Sequence, residues 1–280
     1  MKAFLLYKDQ DFEVQQELSA NDQTLAQDLE LDTLCNGMAL GDKFIFSVVK
    51  RAVLSGVSND LDTILYRQAI LRDCLKNPVI IADIYKLAIE AIENERKNYW
   101  GILSNYPSAI LHRSVEVLQM FVSMLKKLRK IADDNSDRFD SEGFRALFNM
   151  LKEELGEEYF ASVQQHLRRL KFRDGVMISA ELGNGNKGVN YVLRKGPDKK
   201  PNWLELILAE RPPVYTFYIH PRDESGGRAL SGLNDTGINL VANALAQSTD
   251  HILSFFTMLR IELGFYIGCL NLCEQLEERC

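Results

Sequence analysis

The chain has 280 residues, 46% of them apolar and 26% charged, with a formal net charge of −6 and an isoelectric point near 5.4. That length supports one large domain or two ordinary ones, and the composition is that of a soluble protein with ample core. The acidic balance argues against a protein coated in nucleic acid. Five scattered cysteines (Cys35, Cys74, Cys269, Cys273, Cys280), with no Cys-x-x-Cys pair, exclude a disulfide framework and read as free thiols of a reducing cytoplasm. The apolar run near Met1 is too short for a signal peptide and has no cleavage site.

Residues 1–27 show no clear element. From Asp28 to Met38 the pattern is helical, and Gly41-Asp42 interrupts it. Lys43 to Leu54 continues as a helix through Phe44, Ile45, Val48, Val49 and Val53. Ser58-Asn59-Asp60 caps a helix carrying Leu61, Ile64, Leu65, Ile70, Leu71 and Leu75 before Pro78, and Val79 to Leu103 forms the next. Pro107-Ser108 starts a helix to about Ala132. Its residues Leu111, Val115, Leu118, Val122 and Leu125 form a heptad seam, extended by Phe121, Met124, Leu128 and Ile131. After a polar break at Asp133–Ser141, Gly143 to Leu170 is helical again.

Then the period changes from helical to strand-like. Val176–Leu182 and Val189–Arg194 read as one strand pair, Leu204–Leu208 and Val214–Ile219 as a second. Gly-rich Ser225–Gly232 reads as a loop. Asn234, Asp235 and Thr236 then offer an N-cap to a terminal helix with no proline from Ile238 to Arg279, roughly 60 Å long at 1.5 Å per residue. The rhythm continues to Cys280, so the strut reads as part of something larger. Ile252 to Leu272 has the length of a membrane span, but Arg260 and Glu262 at its centre favour a helix buried among helices. Gly264-x-x-x-Gly268 then marks close approach of a neighbour. No membrane partner is expected.

Motifs for catalysis are missing. Gly183-Asn184-Gly185-Asn186-Lys187-Gly188 matches the dinucleotide fingerprint literally, but a strand follows it instead of a helix, so it reads as a hairpin tip. Gly227–Gly232 has P-loop glycine spacing without the lysine that phosphates require. His112, His166, His220 and His251 are far apart, and Cys269 and Cys273 are two thiols on one helical face, so no zinc set is indicated. We assign no catalytic and no metal-binding residue, and expect no enzyme activity or cofactor in this chain.

Charge is the remaining signal. Between Ala161 and Trp203 nine basic residues face three acidic ones, a net of +6, which leaves −12 for the rest. Lys187, Arg194, Lys195, Lys199 and Lys200 crowd a hairpin and loop with Asn184, Asn186 and Asn190. Such a tip suits contacts to a phosphate backbone, and it equally suits a solubilising exposed hairpin. A second basic cluster, Lys126-Lys127-Leu128-Arg129-Lys130, complements the C-terminal dipole of its helix.

Three segments together resemble the core of MutS-type DNA mismatch repair proteins. They are Leu29–Leu34 with Lys43–Val49, then Asp60–Pro78 with Ile64, Arg67, Ile70-Leu71 and Leu75 in the family's helix pattern, and the closing helix Leu253–Tyr266. The resemblance implies a mainly α fold. It would be an elongated helical lever domain (28–170) with a small antiparallel β-rich, clamp-like insert (171–235), and a returning lever helix (236–280). It further implies a clamp on double-stranded DNA, and the charge pattern then makes Lys187, Arg194, Lys195, Lys199 and Lys200 the expected DNA-binding residues. A parent homodimer whose ATPase domain follows Cys280 and uses ATP and Mg is implied too. Asp11-Phe12-Glu13-Val14 does not match the family's Phe-x-Glu wedge, and few residues precede Asp28, so mismatch reading is not carried over. The alternative is a helical scaffold or dimerisation module that ignores nucleic acid, for which the seam Leu111–Leu125 and the acidic balance speak.

Overall fold

The computed structural model describes residues 1–14, 20–55, 61–97, 106–173, 175–195 and 216–278. Among these are nine α-helices: α1 Ala20–Asp28, α2 Leu31–Ala39, α3 Lys43–Ser55, α4 Leu61–Lys76, α5 Pro78–Lys97, α6 Pro107–Asn135, α7 Glu142–Glu154, α8 Glu157–Arg169 and α9 Glu224–Glu277. A two-stranded antiparallel sheet, β1 Ile178–Leu182 and β2 Gly188–Leu193, completes the set. The chain is therefore mainly α with a small β insert, as its periodicities require.

Several boundaries differ from the sequence reading, each for a local reason. Residues 20–28, where the sequence showed no clear element, form α1, and the expected Asp28–Met38 helix is α2, which starts only at Leu31 because Glu30 takes a left-handed conformation after α1. Leu40 and Gly41 are both left-handed, and Asp42 Oδ1 accepts from the amides of Phe44 (2.7 Å) and Ile45 (3.2 Å), so α3 starts afresh. Gly143–Leu170 splits at Leu155-Gly156, where Leu155 leaves helical geometry and Gly156 carries no side chain to hold the turn. Asp133 and Asp134 lie inside α6, which ends at Asn135. The far end of the expected Val79–Leu103 helix, residues 98–103, lies outside the described residues.

Ser225–Gly232 is helix, not loop, and this is the largest correction. Asp223 caps it, its Oδ1 accepting from Gly226 N at 2.9 Å and its carbonyl from Gly227 N at 3.0 Å. With a cap in place and no proline after it, the glycines stay in the helix despite their propensity cost of about 1 kcal/mol each. Asp235, expected to cap this helix, instead accepts from Ser108 N (3.1 Å) and so caps α6. Of the second expected strand pair, Leu204–Leu208, Val214 and Tyr215 lie outside the described residues, and Thr216–Ile219 is irregular.

By contacts the chain divides into two units: residues 1–99, 117–164 and 249–280, and residues 100–116 and 165–248. In the first, the ring of Phe121 on α6 stacks on Phe256 of α9 at 5.8 Å, and Phe139, Phe144 and Phe148 pack around α7. Gly264 and Gly268 of α9 face α3: Phe44 and Val48 lie beside the first, Ile45 and Val49 beside the second. Half of the apolar window of α9, long enough by length and composition to cross a membrane, is buried in the protein, and Glu262 within it is fully buried. The irregular segment Phe4–Phe12 also enters this core, with Leu5 and Leu6 at 0% exposure. Periodicity had no means of showing that. In the second unit Leu111, Ile238 and Ala242 form a small core on which Phe172, Val176 and Leu193 pack.

Candidate nucleic-acid interface

The hairpin is seated by its inner face. Ile178 and Leu193, paired across the ladder, point toward α9, and Gly237 there leaves the space that Ile178 fills. The register slips between Ser179 and Glu181, and Asn190, in a left-handed conformation, takes up the extra residue as a bulge. At the tip Gly183–Gly188 joins the two antiparallel strands through a 3₁₀ turn at Asn184–Asn186, with Gly185 at φ 72°. A strand, β2, follows this glycine loop where a dinucleotide site needs a helix N-terminus, so the loop lacks that geometry. The second glycine cluster, Gly227–Gly232, is inside α9 and forms no phosphate-binding loop either. Among the described residues no group of three or more His, Cys, Asp or Glu side chains could hold a metal.

The structure places Lys187 at the hairpin tip and Arg194 and Lys195 just past the end of β2; all three are exposed. Arg194 lies seven positions after Lys187, roughly 20 Å along a strand. The expected cluster is therefore split between the two ends of β2, Lys187 at the tip and Arg194 with Lys195 at the base, and the strand between them carries no charge. Arg194 is held in place: its amide donates to Met177 O (2.8 Å) and its Nε to Ser179 Oγ (2.8 Å). Asn190, read as an amide for phosphate contact, spends its Nδ2 on Glu181 Oε2 at 2.7 Å. Lys199 and Lys200 lie outside the described residues. Arg168, Lys171 and Arg173 are exposed ahead of the hairpin in the same unit and add to its charge.

The second basic cluster is otherwise occupied. Arg129 bonds Asp133 through Nε and the carbonyls of Lys152 and Leu155 through Nη1. Lys127 pairs with Glu90 at 3.3 Å, and Lys126 lies over the Phe160 ring at 5.1 Å. His112, His166, His220 and His251 are exposed and far apart in sequence. The thiols of buried Cys74 and partly buried Cys269 are pushed up by burial, Cys269 to about 12, which makes them poor nucleophiles.

A mainly helical chain whose one described hairpin carries cations at its tip and base defines a class: a helical framework with a cationic β insert. Residues 59–279 match the family model of the MutS2 N-terminal domain, and the chain belongs to that family. This membership sets it in a MutS-family DNA repair context. Comparison with curated proteins and with solved structures found no match.

Proposed function

We propose that this chain is the DNA-binding lever and clamp portion of a MutS-like DNA repair ATPase. In this reading the hairpin holds backbone phosphates of double-stranded DNA through Lys187, Arg194 and Lys195, joined by Lys199 and Lys200. The long helices α6 and α9 act as levers that couple those contacts to ATP-driven motion of a C-terminal domain. That domain supplies the ATP and Mg chemistry, the parent protein is a homodimer of the cytoplasm, and this chain by itself catalyses nothing. Phosphate contacts of this kind fix position without reading bases, so the reading gives no role in recognising a mismatch.

The observation that carries the proposal is the exposed cations at the tip and base of a hairpin whose inner face is anchored, in a chain of otherwise acidic balance. The heptad seam that favoured a dimerisation module is spent within the chain itself, since Leu111, Val115, Leu118, Val122 and Leu125 are all buried. If about four cations bind phosphates, log affinity for duplex DNA falls with log salt at a slope of roughly −4. Exchanging Lys187, Arg194, Lys195, Lys199 and Lys200 for glutamate flattens that slope. An unchanged affinity and salt response in the exchanged protein overturns the reading.

A further inference from the structure

We propose that Tyr66 and Arg67 of α4, with Glu262 and Tyr266 of α9, form a binding site for an extended apolar peptide, which Phe4–Phe12 of the same chain occupies in cis.

The recognition is of backbone. Tyr66 Oη donates to Phe4 O (2.7 Å), Tyr266 Oη to Leu5 O (2.6 Å) and Arg67 Nε to Leu6 O (2.8 Å). Glu262 Oε2 accepts from the amides of Leu5 and Leu6. Five consecutive polar groups of an irregular segment are thus met by side chains of two helices, while Leu5 and Leu6 are buried. Arg67 closes over the Tyr7 ring at 4.5 Å. Backbone bonds for affinity and side-chain burial for selectivity is how peptide sites divide the work. All four receptor side chains lie within residues 59–279, the span that matches the family, whereas the occupant precedes it. The occupant adds no helix or strand to the fold.

Glu262 makes occupancy sensitive to protons. Burial outweighs its bonds to Leu5 and Leu6 and raises its carboxyl to about 7, while Oε1 lacks a well-formed hydrogen bond. Facing the site are Asp11 from the occupant, Tyr66, Arg67 and Cys74 from α4, Tyr266 and Cys269 from α9, and Glu142 of α7 beside Tyr66. Burial holds these tyrosines and thiols protonated, Tyr66 up to about 12. Glu262 keeps its proton up to about 7 when the site is filled, and its carboxyl falls toward the ordinary carboxylate range when departure of the segment lets water in. Occupancy therefore weakens as pH rises toward 7 and levels off above it. Between pH 6 and 8 the loss is about tenfold.

The test uses the full chain carrying Leu5→Asp and Leu6→Asp, and a fluorescent peptide of residues 1–14 followed by anisotropy. The peptide should bind this variant at least tenfold more tightly than the unaltered chain, and about tenfold more tightly at pH 6 than at pH 8. Adding Glu262→Gln should flatten the pH response. In the unaltered chain, hydrogen exchange at Leu5 and Leu6 should precede that of Val117–Leu128. Failure of the peptide to bind, loss of helical circular dichroism in the variant, or exchange of Leu5 and Leu6 in step with α6 each overturns the proposal.

Discussion

The guanidinium of Arg129, on α6, donates to the carbonyl of Leu155 at 2.8 Å and closes the end of α7. A second bond to Lys152 O at 2.9 Å satisfies another carbonyl that the helix end leaves open. A residue that looked like part of a basic patch is thus a helix cap supplied by another helix. Arg129→Ala should lower unfolding free energy by about 1.5–3 kcal/mol, the range for bonds to a charged group. Chemical denaturation reads that loss. Duplex DNA affinity of the folded variant should stay within twofold, and a large drop would return this cluster to the interface.

Asp73, buried on α4, accepts from the amides of Asp140 (3.2 Å) and Ser141 (2.7 Å). It thereby orders the turn whose Ser141 hydroxyl caps α7. Asp73→Ala strands two amides, one of them buried, and should cost about 1–3 kcal/mol in urea unfolding. Asp73→Asn keeps one acceptor and should lose less. Equal losses would mean that packing, not hydrogen bonding, sets the value of this site.

Gly268 has no room for a methyl group. A Cβ there would meet Val49 Cγ2 at 2.7 Å, and Val49 is a branched side chain in the core of α3. Gly268→Ala should destabilise by about 1–3 kcal/mol from overpacking, against a helix-propensity gain of about 1. At Gly264 the nearest atom is Phe44 Cε1 at 3.4 Å, so Gly264→Ala should be close to neutral or stabilising. Thermal melts of the pair, read side by side, check the order.

Glu262 also sets a pH dependence for global stability. Its carboxyl is raised to about 7 in the folded chain from an ordinary 4.5. The folded state therefore binds more protons between those values, and stability falls as pH rises through that window, by up to about 3 kcal/mol. Asp140, held below its ordinary value by the hydrogen bond and charge of Lys76, contributes with the opposite sign, so the quantity to measure is the difference between Glu262→Gln and the unaltered chain. Urea midpoints at pH 5 and pH 7.5 supply it, and the variant should gain relative stability at the higher pH. A constant difference would place the Glu262 proton elsewhere.

Much of the helical fold was legible because amphipathic helices announce themselves locally. The buried stripe Leu111–Leu128 and the hairpin Ile178–Leu193 are where periods of 3.5 and 2 put them. Ser225–Gly232 was not legible, because glycine content speaks for a loop and only the Asp223 cap reveals a helix. On the hairpin, Lys187, Arg194 and Lys195 were readable as charge, but Asn190 was not readable as a partner of Glu181, since that pairing depends on a bulge. Lys126–Lys130 carried the same kind of charge signal, and tertiary contacts gave three of its four cations another task.

By itself the order of residues determined the helical class, the position of the β insert, the asymmetry of charge and the family, since each is written in patterns a few residues apart. Only the tertiary structure decided what Glu262 holds. Leu5 and Glu262 are 257 positions apart, and no local pattern relates a buried carboxylate to a backbone amide that far away. Their meeting follows from α4 and α9 packing in one core, where a carboxyl cut off from water must find its donors in the protein.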